Sequence, residues 1–137
     1  MRIFLDSSAF AKRFVEEAGS PEVDALCQSA DELCLNVLSA PEVISALNRR
    51  KREGRLGRQE YVKIKERLLL EVREATIINL TPEVVSLSMK VLETAHVRTM
   101  DALHIASASL CHAELFVSGD HRQVAAARSM GLHIRQV

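Results

Sequence analysis

The sequence predicts a three-layer α/β/α sandwich around a parallel sheet of four to five strands, and three observations lead there. Short apolar stretches with strand character alternate with longer segments whose apolar residues recur at helical spacing. The strand stretches are nearly unbroken apolar runs, as expected of a sheet covered on both faces. The helical segments between them are long enough to carry the chain back over the sheet in βαβ crossovers.

The elements follow in order. Arg2-Ile3-Phe4-Leu5 is a first strand ending at Asp6, and Ser7 to Val15 reads as a helix. Ser20-Pro21-Glu22 is a helix start, with Ser20 as N-cap and proline at the first helical position; this helix runs to Ala30. Glu32 to Asn36 is a second strand. Ser39-Ala40-Pro41-Glu42 opens the next helix with a capping-box pattern, and Gly54 and Gly57 close it. Gln59 to Val72 is helical and rich in charge, and Ala75 to Leu80 is a β-branched strand. Thr81-Pro82-Glu83 starts another helix, and Thr99 caps one more that runs to His112. Leu115-Phe116-Val117 is a strand, His121 to Met130 a helix ended by Gly131, and His133 to Val137 a last strand. No repeat, low-complexity segment or Pro/Gly-rich linker interrupts the pattern, so residues 1–137 read as one domain.

Composition narrows the function classes. Hydrophobic residues make up 47% of the chain and aromatics only 4%, so the core must be aliphatic. No apolar run approaches the roughly 20 residues that span a bilayer, and the N-terminus turns acidic at Asp6, too early for a signal-peptide core. A cytoplasmic protein is the expectation. Cys27, Cys34 and Cys111 are odd in number and widely spaced, which gives neither a disulfide framework nor a zinc spacing. Net charge is zero, with 18 acidic and 18 basic residues, which argues against coating nucleic acid by bulk electrostatics. Six basic residues nevertheless crowd between Arg49 and Arg58.

In a parallel sheet of this kind, sites lie outside the carboxyl ends of the strands, an edge shared with the N-termini of the following helices. Four acids map there. Asp6 ends the first strand, Glu42 and Asp101 lie in first helical turns, and Asp120 follows the Leu115–Val117 strand. Singly, each is explained by the preference of helix N-termini for negative charge, worth about 0.3–1 kcal/mol. Asp101 is the hardest to explain so, because its helix is apolar or small nearly all round and therefore buried. A carboxylate there costs several kcal/mol unless paired, protonated or bound to a metal. Glu42 falls opposite the apolar stripe of its helix, as an ordinary surface glutamate would. If the four converge, their repulsion requires raised pKa values or a cation. With only carboxylates and the hydroxyls of Ser7, Ser8 and Ser118 available, all-oxygen ligation selects Mg²⁺ or Mn²⁺ over zinc.

Leu5-Asp6-Ser7-Ser8-Ala9 after the initial strand resembles the opening of PIN-domain toxins. Pro41-Glu42-Val43-Ile44-Ser45-Ala46-Leu47 with its basic tail, Asp101-Ala102-Leu103-His104-Ile105-Ala106, and Leu115-Phe116-Val117-Ser118-Gly119-Asp120 resemble the next three landmarks in order and spacing. The likeness to the VapC-type branch of that family covers essentially the whole chain. It implies strand order 3-2-1-4-5 and four acids around one or two Mg²⁺ or Mn²⁺ ions. Asp6 and Asp101 correspond to the principal ligands, and Glu42 and Asp120 to the second pair. It further implies an endoribonuclease that acts on RNA as a homodimer, the toxin of a type II toxin–antitoxin pair blocked by a cognate antitoxin.

Other residues have two readings each. The Arg49, Arg50 and Arg52 cluster is either the solvated end of a helix or a contact for RNA phosphates or the antitoxin. Ser7 and Ser118 are either caps or groups that orient a ligand. His104 lies one helical turn from Asp101 and reads as a packed residue. Tyr61, a single aromatic, offers no base-stacking platform. A receiver domain would need an acidic pair closing the first strand and a late-strand lysine; Ser7-Ser8 follow Asp6, and no lysine follows Val117 or Ile134. Ser8 excludes an Asp-x-Asp phosphotransfer site. A catalytically silent PIN fold acting as a binding module, and a housekeeping nuclease without antitoxin, stay open.

Overall fold

A computed structural model describes all 137 residues. Five strands, β1 (Arg2–Leu5), β2 (Glu32–Asn36), β3 (Thr76–Ile78), β4 (Leu115–Ser118) and β5 (Ile134–Gln136), form one sheet in the order β3-β2-β1-β4-β5. Every neighbouring pair is parallel. The helices are α1 (Ser7–Ala11), α2 (Ser20–Ser29), α3 (Ser39–Arg52), α4 (Arg58–Glu74), α5 (Pro82–Thr94), α6 (Thr99–Leu110) and α7 (His121–Ser129). No helix is long and apolar enough to cross a membrane.

Strand side chains alternate between two cores, one on each face. Ile3, Leu5, Leu35 and Val117 pack with Phe10, Val23, Leu47 and Leu68, under α1 to α4. Phe4, Cys34 and Phe116, opposite one another in register, pack with Val91, Ile105 and Ala127, under α5 to α7. Phe4 and Phe116 stack at 5.8 Å between ring centroids. Fully burying side chains of this size contributes about 1.5–3 kcal/mol each. The three layers thus follow from alternation along β1, β2 and β4, whose central positions are apolar on both faces, with the polar residues Arg2, Glu32, Asn36 and Ser118 confined to their ends. All three cysteines are unpaired, Cys34 buried and the other two half-buried.

The helix starts correct several expectations. Thr81 caps α5 as read, its hydroxyl accepting the Val84 N–H at 3.2 Å. Ser20 is not a cap but the first residue of α2, whose N-cap is Gly19 at φ +91°. Its hydroxyl is engaged outside the helix, accepting the Glu17 N–H and donating to the Val15 carbonyl. The Ser39–Glu42 capping box does not form: Leu38 occupies the cap, and the Ser39 hydroxyl is buried without a partner. Arg98, not Thr99, caps α6. The first helix ends at Ala11 rather than Val15, and β3 is shorter than Ala75–Leu80.

Candidate active site

Asp6 lies where β1 ends at the centre of the sheet, its N–H continuing the ladder to the Val117 carbonyl at 3.1 Å. The side chain is 1% exposed. One carboxylate oxygen accepts the Ala9 N–H at 2.8 Å and the Ser8 hydroxyl at 2.7 Å, and the other accepts the Ser118 hydroxyl. Burial pushes its pKa above the ordinary value, although Ser118, Ala9 and Ser8 all favour the charged form. Ser118 also accepts the Asp120 N–H at 2.9 Å, so one hydroxyl joins the ends of β1 and β4.

Glu42 turns from the solvent side of α3 toward α6. Its carboxylate accepts the Ser7 hydroxyl and meets His104 Nε2 at 2.7 Å. Burial would raise its pKa, but the bonds from His104 and Ser7 outweigh it and hold the carboxyl below the ordinary range. His104 is 2% exposed, edge-on to Phe4, with Nδ1 buried and unpartnered. It is packed, as read; its grip on a glutamate 62 residues away is what the sequence could not display.

Asp101 and Asp120 line one cleft of about 380 Å³, with His96, Arg98 and Arg122. Asp101 accepts the Arg98 N–H at 3.1 Å, and Asp120 caps α7 by accepting the Arg122 N–H at 2.8 Å. On the other face of the sheet a second cleft, of about 400 Å³, is lined by Ser8, Lys12, Arg49, Arg50, Arg55 and Gly119 among others. Arg49 and Arg50 therefore reach a cleft beside the carboxylate edge, while Arg52 is exposed at the end of α3 and lines none of the larger ones. Lys12, Arg98 and Arg122 escaped sequence reasoning; only their proximity to the acids in the chain, in the case of the two arginines, hinted at them.

The fold thus brings Asp101 and Asp120 to one cleft and ties Asp6 to the Asp120 backbone, while Glu42 is held by its own partners. As they stand, no three His, Cys, Asp or Glu side chains are close enough to hold a metal ion. The donor chemistry nonetheless fits a hard cation. Asp6, Asp101 and Asp120 enter no ion pair, and Asp6 is a buried carboxylate with only neutral donors around it. Apart from the imidazoles of His96 and His104, the groups able to ligate there are oxygen donors.

A parallel sheet ordered 3-2-1-4-5 with acids along its carboxyl edge defines a class of α/β domain whose site lies at that edge. The PIN domain family model matches residues 3–129, and the chain belongs to that family of nucleases. Among solved structures, the toxin VapC20 of Mycobacterium tuberculosis, described as cleaving the sarcin–ricin loop, is similar over 90% of this chain and 94% of that one. The TM-score is 0.70 at 18% identity. FitAcB from Neisseria gonorrhoeae matches with a TM-score of 0.73 at 14% identity, covering 96% of this chain and 95% of that one. VapBC2 from Rickettsia felis, bound to a promoter DNA fragment, matches with a TM-score of 0.71 at 10% identity, covering 100% and 99%. A search of curated protein sequences finds no significant match.

Proposed function

We propose that this chain is a Mg²⁺- or Mn²⁺-dependent endoribonuclease and the cytoplasmic toxin of a type II toxin–antitoxin pair. The observation that carries the reading is Asp6: a carboxylate buried at the central strand end, without a counter-ion, beside a cleft lined by two more unpaired aspartates. Such a group is costly unless its charge has work to do. Asp6 and Asp101 would be the principal ligands, with Glu42 and Asp120 as the second pair. When bound, the cation supplies positive charge for the phosphate oxygens and acidifies a water. The chain's own residues set the stage for it. Ser8, Ser118 and the Ala9 N–H fix the orientation of Asp6. His104 and Ser7 fix that of Glu42. Hydrolysis of the phosphodiester would leave 5′-phosphate and 3′-hydroxyl ends.

The toxin assignment is supported by the toxin–antitoxin complexes among the structural neighbours, which include one from Klebsiella pneumoniae. The Arg49–Arg50 cleft is suited to RNA phosphates or an antitoxin segment. Val85, Met89 and Leu92, exposed along one side of α5, support a homodimer. The test is cleavage of RNA by the wild type and Asp6→Asn, each with Mn²⁺ and with EDTA. Cleavage only by the wild type with Mn²⁺ is expected; equal cleavage in all four conditions removes the metal mechanism.

A further inference from the structure

We propose that Arg98 and Arg122 form a phosphate-binding subsite for a single RNA strand, across the sheet edge from the Arg49–Arg50 cleft; this rests on the nuclease reading above. Both arginines are exposed and line the cleft that holds Asp101 and Asp120, yet neither pairs with either acid. The backbone explains how they stay apart. Arg98 uses its own N–H to satisfy Asp101, and Arg122 uses its N–H to satisfy Asp120. Each acid is tied down by the main chain of the residue whose guanidinium remains free.

The cleft does not end there. Ala95, His96 and Arg122 also line an adjoining cleft of about 580 Å³ that runs over α7 to Ser129. Together they make a shallow track leading away from the carboxylates on the α5–α7 face. Gly119 lines the basic cleft on the opposite face, and Asp120, its chain neighbour, lines this one. A strand crossing the edge would meet guanidinium groups on both sides of the acids. A polyanion needs this, since four carboxylates repel its backbone and the net charge of the chain is zero. Guanidinium forks match phosphate geometry. The chain's one tyrosine is occupied, its hydroxyl accepting from Asn48 and its ring lying under Lys51, and all four phenylalanines are buried, so His96 is the one ring along these clefts and phosphate contacts lead as the source of affinity.

The test is fluorescence anisotropy of a labelled single-stranded RNA in EDTA, where cleavage does not intervene, over a range of salt concentrations. The double variant Arg98→Gln/Arg122→Gln should bind about 10-fold more weakly at low salt. Its plot of log K against log salt should be shallower by about 1.4, from two contacts at about 0.7 each. Arg73→Gln, exposed on α4, should match the wild type. An unchanged slope in the double variant, an equal loss in Arg73→Gln, or no binding by the wild type overturns the subsite. Displacement of the RNA by poly-glutamate as effectively as by unlabelled RNA overturns it in favour of an acidic protein partner. Cleavage of the same RNA with Mn²⁺ is read in parallel. A wild type that does not cleave, but whose binding depends on both arginines, keeps the subsite and sinks the nuclease. A wild type that cleaves while the double variant binds normally does the reverse.

Discussion

Replacing Asp6 by asparagine should make the metal-free protein more stable, not less. The carboxylate accepts three hydrogen bonds, all from neutral donors. A bond to a charged group contributes about 1.5–3 kcal/mol against about 0.5–1.5 for a neutral one. Neutralisation therefore forfeits on the order of 3 kcal/mol. It also removes the desolvation penalty of a buried ion, several kcal/mol. The raised pKa of Asp6 states which is larger: the fold disfavours the charged form more than the hydrogen bonds favour it. A net gain of about 1 kcal/mol is of the size seen when functional strain is released, and should raise Tm by about 3–5 °C for a chain of this size. The same logic fixes the pH dependence. Below the ordinary value of 3.8 Asp6 is protonated, folded or not, and imposes no penalty. As pH rises from there through the higher folded-state pKa, the wild type loses this increment of stability while Asp6→Asn does not. Mn²⁺ at about 100 times its Kd should then restore about 2.7 kcal/mol to the wild type and nothing to the variant. Differential scanning fluorimetry across pH, in EDTA and in Mn²⁺, reads all of this. A variant less stable than wild type in EDTA at neutral pH would refute the reasoning.

Two further substitutions probe the shell around the acids. Ser118→Ala removes the donor to Asp6 and the acceptor of the Asp120 N–H, and should cost about 1–3 kcal/mol in urea denaturation; an unchanged midpoint would deny Ser118 its bridging role. His104→Ala empties a buried site against Phe4 and leaves Glu42 with Ser7 as its one side-chain partner, for a loss of about 2–4 kcal/mol. His104→Gln keeps a side-chain N–H donor and should recover part of it; equal loss in both variants would mean that packing alone matters.

The architecture was legible because it depends on local patterning. Apolar runs such as Ile3-Phe4-Leu5 and Leu115-Phe116-Val117 announce strands covered on both faces, and the acids at their ends announce an edge. What stayed illegible was the choice of partner. Thr81 and Ser39 carry similar helix-start signals, yet only Thr81 caps its helix. At α3 the Asn36 side chain serves the Leu38 N–H instead, and Glu42 is drawn away by Ser7 and His104. Those partners are brought by the fold from 35 and 62 residues away, beyond any helical-turn rule. For the same reason, Arg98 and Arg122 look like ordinary flanking charges until α6 and α7 meet across the cleft.

Because β1 is hydrogen-bonded on both sides, its reading frame is held by two ladders and two cores at once. Sliding it by one residue would exchange Phe4 with the Ile3–Leu5 pair between faces and carry Asp6 off the rim, out of reach of Ser118. Inserting a residue before Asp6 should therefore be far more disruptive than lengthening the exposed turn at Gly54, and the position of the buried charge is guarded by a strand locked on both edges and both faces.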